Sequence, residues 1–125
     1  MVAKRDGALL TESLGLRLEN IVAIELLRRL SITEQAYYLR KVREYEVDFV
    51  VVDGVQVKEL IQVTYDFREP RTKLYNREVG NLFKASGMLH CDNLTLIMMY
   101  GDERDITKDG KTVHCVPATK WLLSN

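Results

Sequence analysis

The stretch EVDFVVVDGVQVKELIQVTYD, residues 46–66, decides the fold. Two runs rich in β-branched residues flank an Asp53-Gly54 pair, the strongest short-range hairpin signal a sequence carries. Val47 to Val52 is apolar but for Asp48, and alternation along a strand puts Asp48 on one face with Val50 and Val52. In the second run, Val55 to Tyr65, Gln62 and Thr64 share a face. A carboxylate held in an apolar strand costs free energy unless a metal ion, a cation or a hydrogen-bond donor meets it. A two-residue turn at Asp53-Gly54 would set Asp48 opposite Glu59 and send Gln62 to the other face. Placing Gln62 beside Asp48 requires a three-residue loop or a bulge, and that irregularity is expected. Without it, Asp48 and Glu59 would be the facing acids.

Upstream, residues 1–11 form a lead-in, and Glu12 to Leu30 carries a helical pattern without proline. Winding it gathers Arg17, Glu25, Arg28 and Arg29 on one side and Ala23, Leu26, Leu27 and Leu30 on the other. Glu19 falls in the second group, either turned toward the sheet or reaching solvent at an edge. Gln35 to Val42 is the first strand. Downstream, Arg68-Glu69-Pro70 opens a second helix that runs to Ser86 and is capped by Gly87, with Tyr75, Val79, Leu82 and Phe83 as its apolar stripe. Leu94 to Tyr100 is an apolar run suited to a strand covered on both faces. Ile106–Thr107 and Thr112–Val116 form a hairpin about Asp109-Gly110, and Pro117 opens a closing helix with Trp121, Leu122 and Leu123. The strand–helix–strand passage demands a parallel crossover while the hairpins are antiparallel. The expected class is α/β: a mixed sheet flanked by helices, with an α-β-β-β-α-β core plus a C-terminal hairpin and helix, residues 12–125 forming one domain.

At 125 residues the chain can bury a core of its own. Its 18 Lys and Arg balance 18 Asp and Glu, so no global positive field draws nucleic acid, and only a local patch could. Arg68, Arg71, Lys73 and Arg77 around the second helix are such a patch, although a solvated helix face needs no function. No apolar run is long enough for a bilayer span or a signal peptide, so a cytoplasmic chain without a membrane partner is expected. Two cysteines fit a reducing compartment. His90-Cys91 and His114-Cys115 offer zinc-ligand types, but strand neighbours point to opposite faces, and buried structural cysteines are the better account. Gly110-Lys111-Thr112 mimics the end of a P-loop, but Asp105 stands where that loop needs glycine and a strand follows.

Glu19 on the first helix, Asp48 on the second strand and Gln62-Val63-Thr64 on the third resemble the active-site layout of the PD-(D/E)xK nucleases. There, converging carboxylates hold Mg²⁺ by oxygen and a lysine stabilises charge at the attacked phosphate. The third-strand motif departs twice, with Gln62 in place of the acid and Thr64 in place of the lysine. A glutamine can still offer a carbonyl oxygen, whereas a threonine supplies no charge. More broadly, LRLENIVAIELLRR, EVDFVV, ELIQVTYD, REVGNLFKA, CDNLTLI and KWLL resemble the C-terminal domain of unknown function found on archaeal and bacterial AAA-type ATPases. That likeness extends over residues 12–123 and implies a restriction-endonuclease-like fold preceded, in full-length members, by a P-loop ATPase domain and a winged helix.

The resemblance implies a nuclease-like, nucleic-acid-associated accessory domain, with DNA and an ATPase domain in cis or trans as partners. Glu19, Asp48, Gln62 and Thr64 would be its degenerate catalytic motif. Glu19, Asp48 and Gln62 would be weak Mg²⁺ ligands, and Lys73 and Arg77 would contact nucleic acid. Two alternatives stay open: an interaction module that docks a partner or a second copy, and a live metal-dependent nuclease in which Lys73 or Arg77 replaces the lysine.

Overall fold

The computed structural model describes the backbone of residues 2–38, 47–68 and 72–124, and the side chains of 13–38, 47–68 and 77–124. In chain order the elements are α1 (Val2–Arg29), β1 (Glu34–Tyr38), β2 (Phe49–Asp53), β3 (Gln56–Asp66), α2 (Thr72–Leu89), β4 (Leu94–Tyr100), β5 (Arg104–Lys108), β6 (Lys111–Pro117) and α3 (Ala118–Leu123). The six strands form one sheet in the order β1-β2-β3-β4-β6-β5. β3–β4 and β4–β6 are parallel and the other neighbours antiparallel, so the sheet is mixed, as the α/β reading requires.

Two apolar layers cover it. On one face Val50, Leu60, Leu94, Leu96 and Met98 pack with Val79, Leu82 and Ala85 of α2. On the other, Phe49, Val51, Ile61, Val63 and Ile97 pack with Leu18, Val22 and Leu26 of α1 and with Ala118 and Trp121 of α3. Arg29 ties α1 to α3: its guanidinium lies 4.3 Å from the Trp121 ring centroid and donates to the Trp121 and Ser124 carbonyls at 2.7 and 2.8 Å.

Four local expectations are corrected. Helix α1 begins at Val2, so the supposed lead-in is helical; Ala, Lys, Arg and Leu there are strong helix formers and no proline intervenes. Its core stripe is Leu18, Val22 and Leu26, and Leu27 is 65% exposed, because apolar residues occur all round the helix. The hairpin loop is Gly54-Val55, not Asp53-Gly54: Asp53 pairs with Gln56, and Gly54 supplies the positive φ of 64° at the first central position. Helix α2 runs through Gly87 to Leu89 and ends at His90, whose φ is 54°, with the Cys91 amide donating to the Ser86 carbonyl at 3.2 Å. That is a Schellman closure with histidine where glycine is usual. Leu89 packs against the core, which offsets carrying the helix through Gly87. The expected start of α2 at Glu69-Pro70, and the part of strand one beyond Tyr38, lie outside the described residues.

Phe49 is buried beneath α1, with its ring 5.2 Å from that of Tyr38. Phe49→Ala should cost about 3–5 kcal/mol in chemical denaturation. A loss below about 1 kcal/mol would mean that β2 is peripheral to the core.

Candidate functional site

The register of β2 on β3 builds the site. From the loop, Asp53 pairs with Gln56 and Val52 with Val57; continued without interruption, that pairing would bring Asp48 opposite Ile61. The register shifts between Val52 and Val51, where Val51 pairs with Glu59 and Lys58 is left surplus. This is the expected bulge, and its effect is to set Phe49 on Ile61 and Asp48 beside Gln62. The Asp48 amide donates to Gln62 Oε1 at 3.2 Å, and the Val63 amide donates to Asp48 Oδ2 at 2.8 Å.

Asp48 and Gln62 are each 5% exposed. Sequence reasoning missed a third buried member, Glu78 of α2, at 7% exposure. Gln62 Nε2 donates to Glu78 Oε2, so a chain of hydrogen bonds runs from the Asp48 backbone through the Gln62 amide to the helix carboxyl. The signal was present: Glu78 lies four residues before Leu82 and next to Val79, on the stripe that faces the sheet. Burial pushes the Glu78 carboxyl above its usual range, against lesser opposing pulls from Arg77 and the Gln62 amide.

Glu19, Asp48, Gln62, Val63, Arg77, Glu78 and Asn81 line one cavity of about 270 Å³. Glu19 is half-buried, accepts from the Tyr38 hydroxyl at 2.5 Å and lines the same cavity as Asp48. The structure therefore brings Glu19, Asp48 and Gln62 together. Thr64 is buried two residues along β3, on the same face as Gln62. Arg77 is 65% exposed at the cavity, 3.6 Å from Glu78 Oε1. The side chain of Lys73 lies outside the described residues.

The alternative pairing of Asp48 with Glu59 is overturned. Glu59 lies opposite Val51, on the α1 face, where its Oε2 accepts from Thr95 at 2.8 Å. The zinc grouping does not form either: Cys91 and Cys115 are buried while His90 and His114 are exposed, the latter paired with Asp105 at 2.7 Å. Burial drives the Cys115 thiol up to about 11, so it stays protonated.

The Mg²⁺ expectation finds a poor donor set. Among the described residues no three His, Cys, Asp or Glu side chains group so as to hold a metal ion. The Gln62 oxygen already accepts from the Asp48 amide, and Asp48 Oδ2 from the Val63 amide. These groups satisfy one another, which is how buried polar atoms are normally stabilised.

No family model matches the chain. It is 38% identical over 115 residues to a protein of Methanocaldococcus jannaschii named "Uncharacterized protein MJ1544". That alignment takes in 88% of this chain but 25% of the relative, so the chain spans about a quarter of the length of the curated relative it matches. No solved structure matches. No helix among the described residues is long and apolar enough to cross a membrane.

Because the Glu78 pKa is raised by folding, the folded state holds its proton more tightly than the unfolded chain. The stabilisation is full below the ordinary carboxylate pKa and is lost as pH rises through the raised value. Glu78→Gln keeps an acceptor for the Gln62 amide and removes the titration. It should melt higher than the parent at neutral pH, and its melting temperature should vary less with pH. A variant that melts lower at neutral pH would show that Glu78 is needed as a carboxylate.

Proposed function

We propose that this chain is a nuclease-derived accessory domain with a restriction-endonuclease-like fold, one that has lost cleavage and serves a larger ATPase-containing protein on nucleic acid. The observation that carries the reading is the juxtaposition of Asp48 and Gln62 by a bulge, with Glu19 on the same cavity and Thr64 at the lysine position. That arrangement keeps the motif's layout while removing the groups its chemistry needs. Gln62 and Asp48 spend acceptors on backbone amides, and Thr64 brings no positive charge. Among the described residues Arg77 is the cation that lines the cavity, and it lies beside Glu78 on α2 rather than on β3. Attachment to a larger protein is supported by the relative, of which the matched segment is 25%.

A second reading, the interaction module, is favoured by one observation. Leu16, Ile24 and Leu27 on α1 and Tyr37 and Tyr38 on the edge strand β1 are exposed. Apolar surface of that kind suits a partner chain or a second copy.

Loss of one preorganised charge-stabilising group slows such reactions by about 10²–10³. Purified protein incubated with plasmid, single-stranded DNA and RNA in Mg²⁺ or Mn²⁺ should therefore leave them intact, as should an Asp48→Ala control. Robust cleavage abolished by Asp48→Ala would overturn the degenerate site. Salt-dependent DNA binding weakened by Arg77→Ala supports nucleic-acid association. No binding, together with concentration-dependent self-association in sedimentation, would favour the interaction module.

A further inference from the structure

A second and larger cavity, about 390 Å³, opens on the other face of the sheet. It lies between the C-terminal end of α1, α3 and the start of β3. Its apolar walls are Leu26, Leu30, Val51 and the Trp121 ring, and Glu59 stands among them. The bulge builds this cavity too: with Lys58 surplus, Glu59 turns to the α1 face beside Val51.

The polar groups around it are unequal. Arg29 spends its donors on Glu25, on the Trp121 and Ser124 carbonyls and on the Ser124 hydroxyl. Lys58 is paired with Glu34, and the Asn93 amide donates to the Lys58 carbonyl at 3.3 Å. Glu59 differs. Its Oε2 accepts from the Thr95 hydroxyl, and its Oε1 accepts no hydrogen bond from any described residue. No lysine or arginine among the described residues forms an ion pair with it. Burial, the largest influence on it, raises its affinity for a proton against lesser opposing pulls from Thr95, Arg29 and Lys58. An incoming anion would find the local cations already engaged. An incoming cation would find a carboxyl with no direct ion pair, Arg29 and Lys58 acting on it only at longer range, beside an indole and three aliphatic side chains.

We propose that this cavity binds a small organic cation, a primary ammonium on an apolar stem, with the ammonium on Glu59 Oε1 and the stem against Trp121, Leu26, Leu30 and Val51. A cavity of this size, with one apolar wall and one polar wall on which Glu59 is the group left open, is of the kind that takes small ligands. The charged hydrogen bond supplies orientation and the stem supplies burial.

Trp121 is the chain's single tryptophan, so its emission reports on this cavity directly. The probe is phenethylamine at neutral pH, with phenylacetate as a control of the same apolar body and opposite charge. Phenethylamine should produce a saturable change in Trp121 emission in the millimolar range, and phenylacetate should not. Glu59→Gln, with folding checked by its melting curve, should weaken the amine about tenfold, as for one lost charge-assisted hydrogen bond. Equal binding of phenylacetate, undiminished amine binding by folded Glu59→Gln, or no saturable response to the amine would each overturn the proposal. The wild-type comparison of the two probes stands even if the variant fails to fold.

Discussion

The surplus residue Lys58 reconciles two constraints that cannot otherwise coexist. The Gly54-Val55 loop fixes the register at the top of the hairpin, where Asp53 meets Gln56. The core fixes it lower down, where Ile61 and Val63 must face α1 while Leu60 faces α2. These requirements differ by one residue, and a one-residue slip sends every side chain to the wrong face. Carried through unbroken, the loop's register would turn Glu59 and Ile61 toward α2 and leave Leu60 and Gln62 toward α1. The bulge absorbs the difference within one step of β3. The strand residues of both cavities, Asp48 and Gln62 in one and Val51 and Glu59 in the other, take their places from it.

The same register explains how acidic groups survive inside the sheet. Asp48 is stabilised by the Val63 amide and Gln62 by the Asp48 amide, so part of each buried polar group's hydrogen-bonding capacity is met within the chain. Removing one partner from such a network leaves a buried group unsatisfied and costs about 1–3 kcal/mol. Glu78 completes the network through the Gln62 amide, and burial makes it favour its proton against the opposing pull of Arg77 3.6 Å away. The arrangement holds its own members in place. Metal-assisted hydrolysis needs the opposite, oxygens left open toward a shared point.

Much of this was legible in the sequence, and the parts that were not have physical causes. Leu94–Tyr100 is bounded correctly because a strand covered on both faces reads as a near-continuous apolar run, broken here only by Thr95. The Asp109-Gly110 turn was clear because both residues adopt positive φ. Asp48 stands out because a charge amid valines demands a partner, and parity then requires either a three-residue loop or a bulge to bring Gln62 beside it. The face of α1 was not legible: Leu16, Ile21, Ile24 and Leu27 are as apolar as the Leu18, Val22 and Leu26 that are buried. Glu78 escaped notice because it sits among the charged residues of REVGNLFKA, although its spacing from Leu82 places it on the inner face. Gly87 misled because a helix tolerates glycine when the residues beyond it pack, as Leu89 does.

A paired deletion experiment tests the role of the bulge. With Lys58 deleted, Val52 can still meet Val57 and Val51 can still meet Glu59, so every side chain keeps its face and Asp48 keeps Gln62. With Ile61 deleted, the shortened strand must place Glu59 where Leu60 now fills the core. Thermal unfolding of the two proteins, followed by circular dichroism, should show a cooperative transition for the Lys58 deletion and none for the Ile61 deletion. If losing Lys58 abolishes the transition as completely as losing Ile61, the surplus residue is not what reconciles loop and core, and the account is wrong.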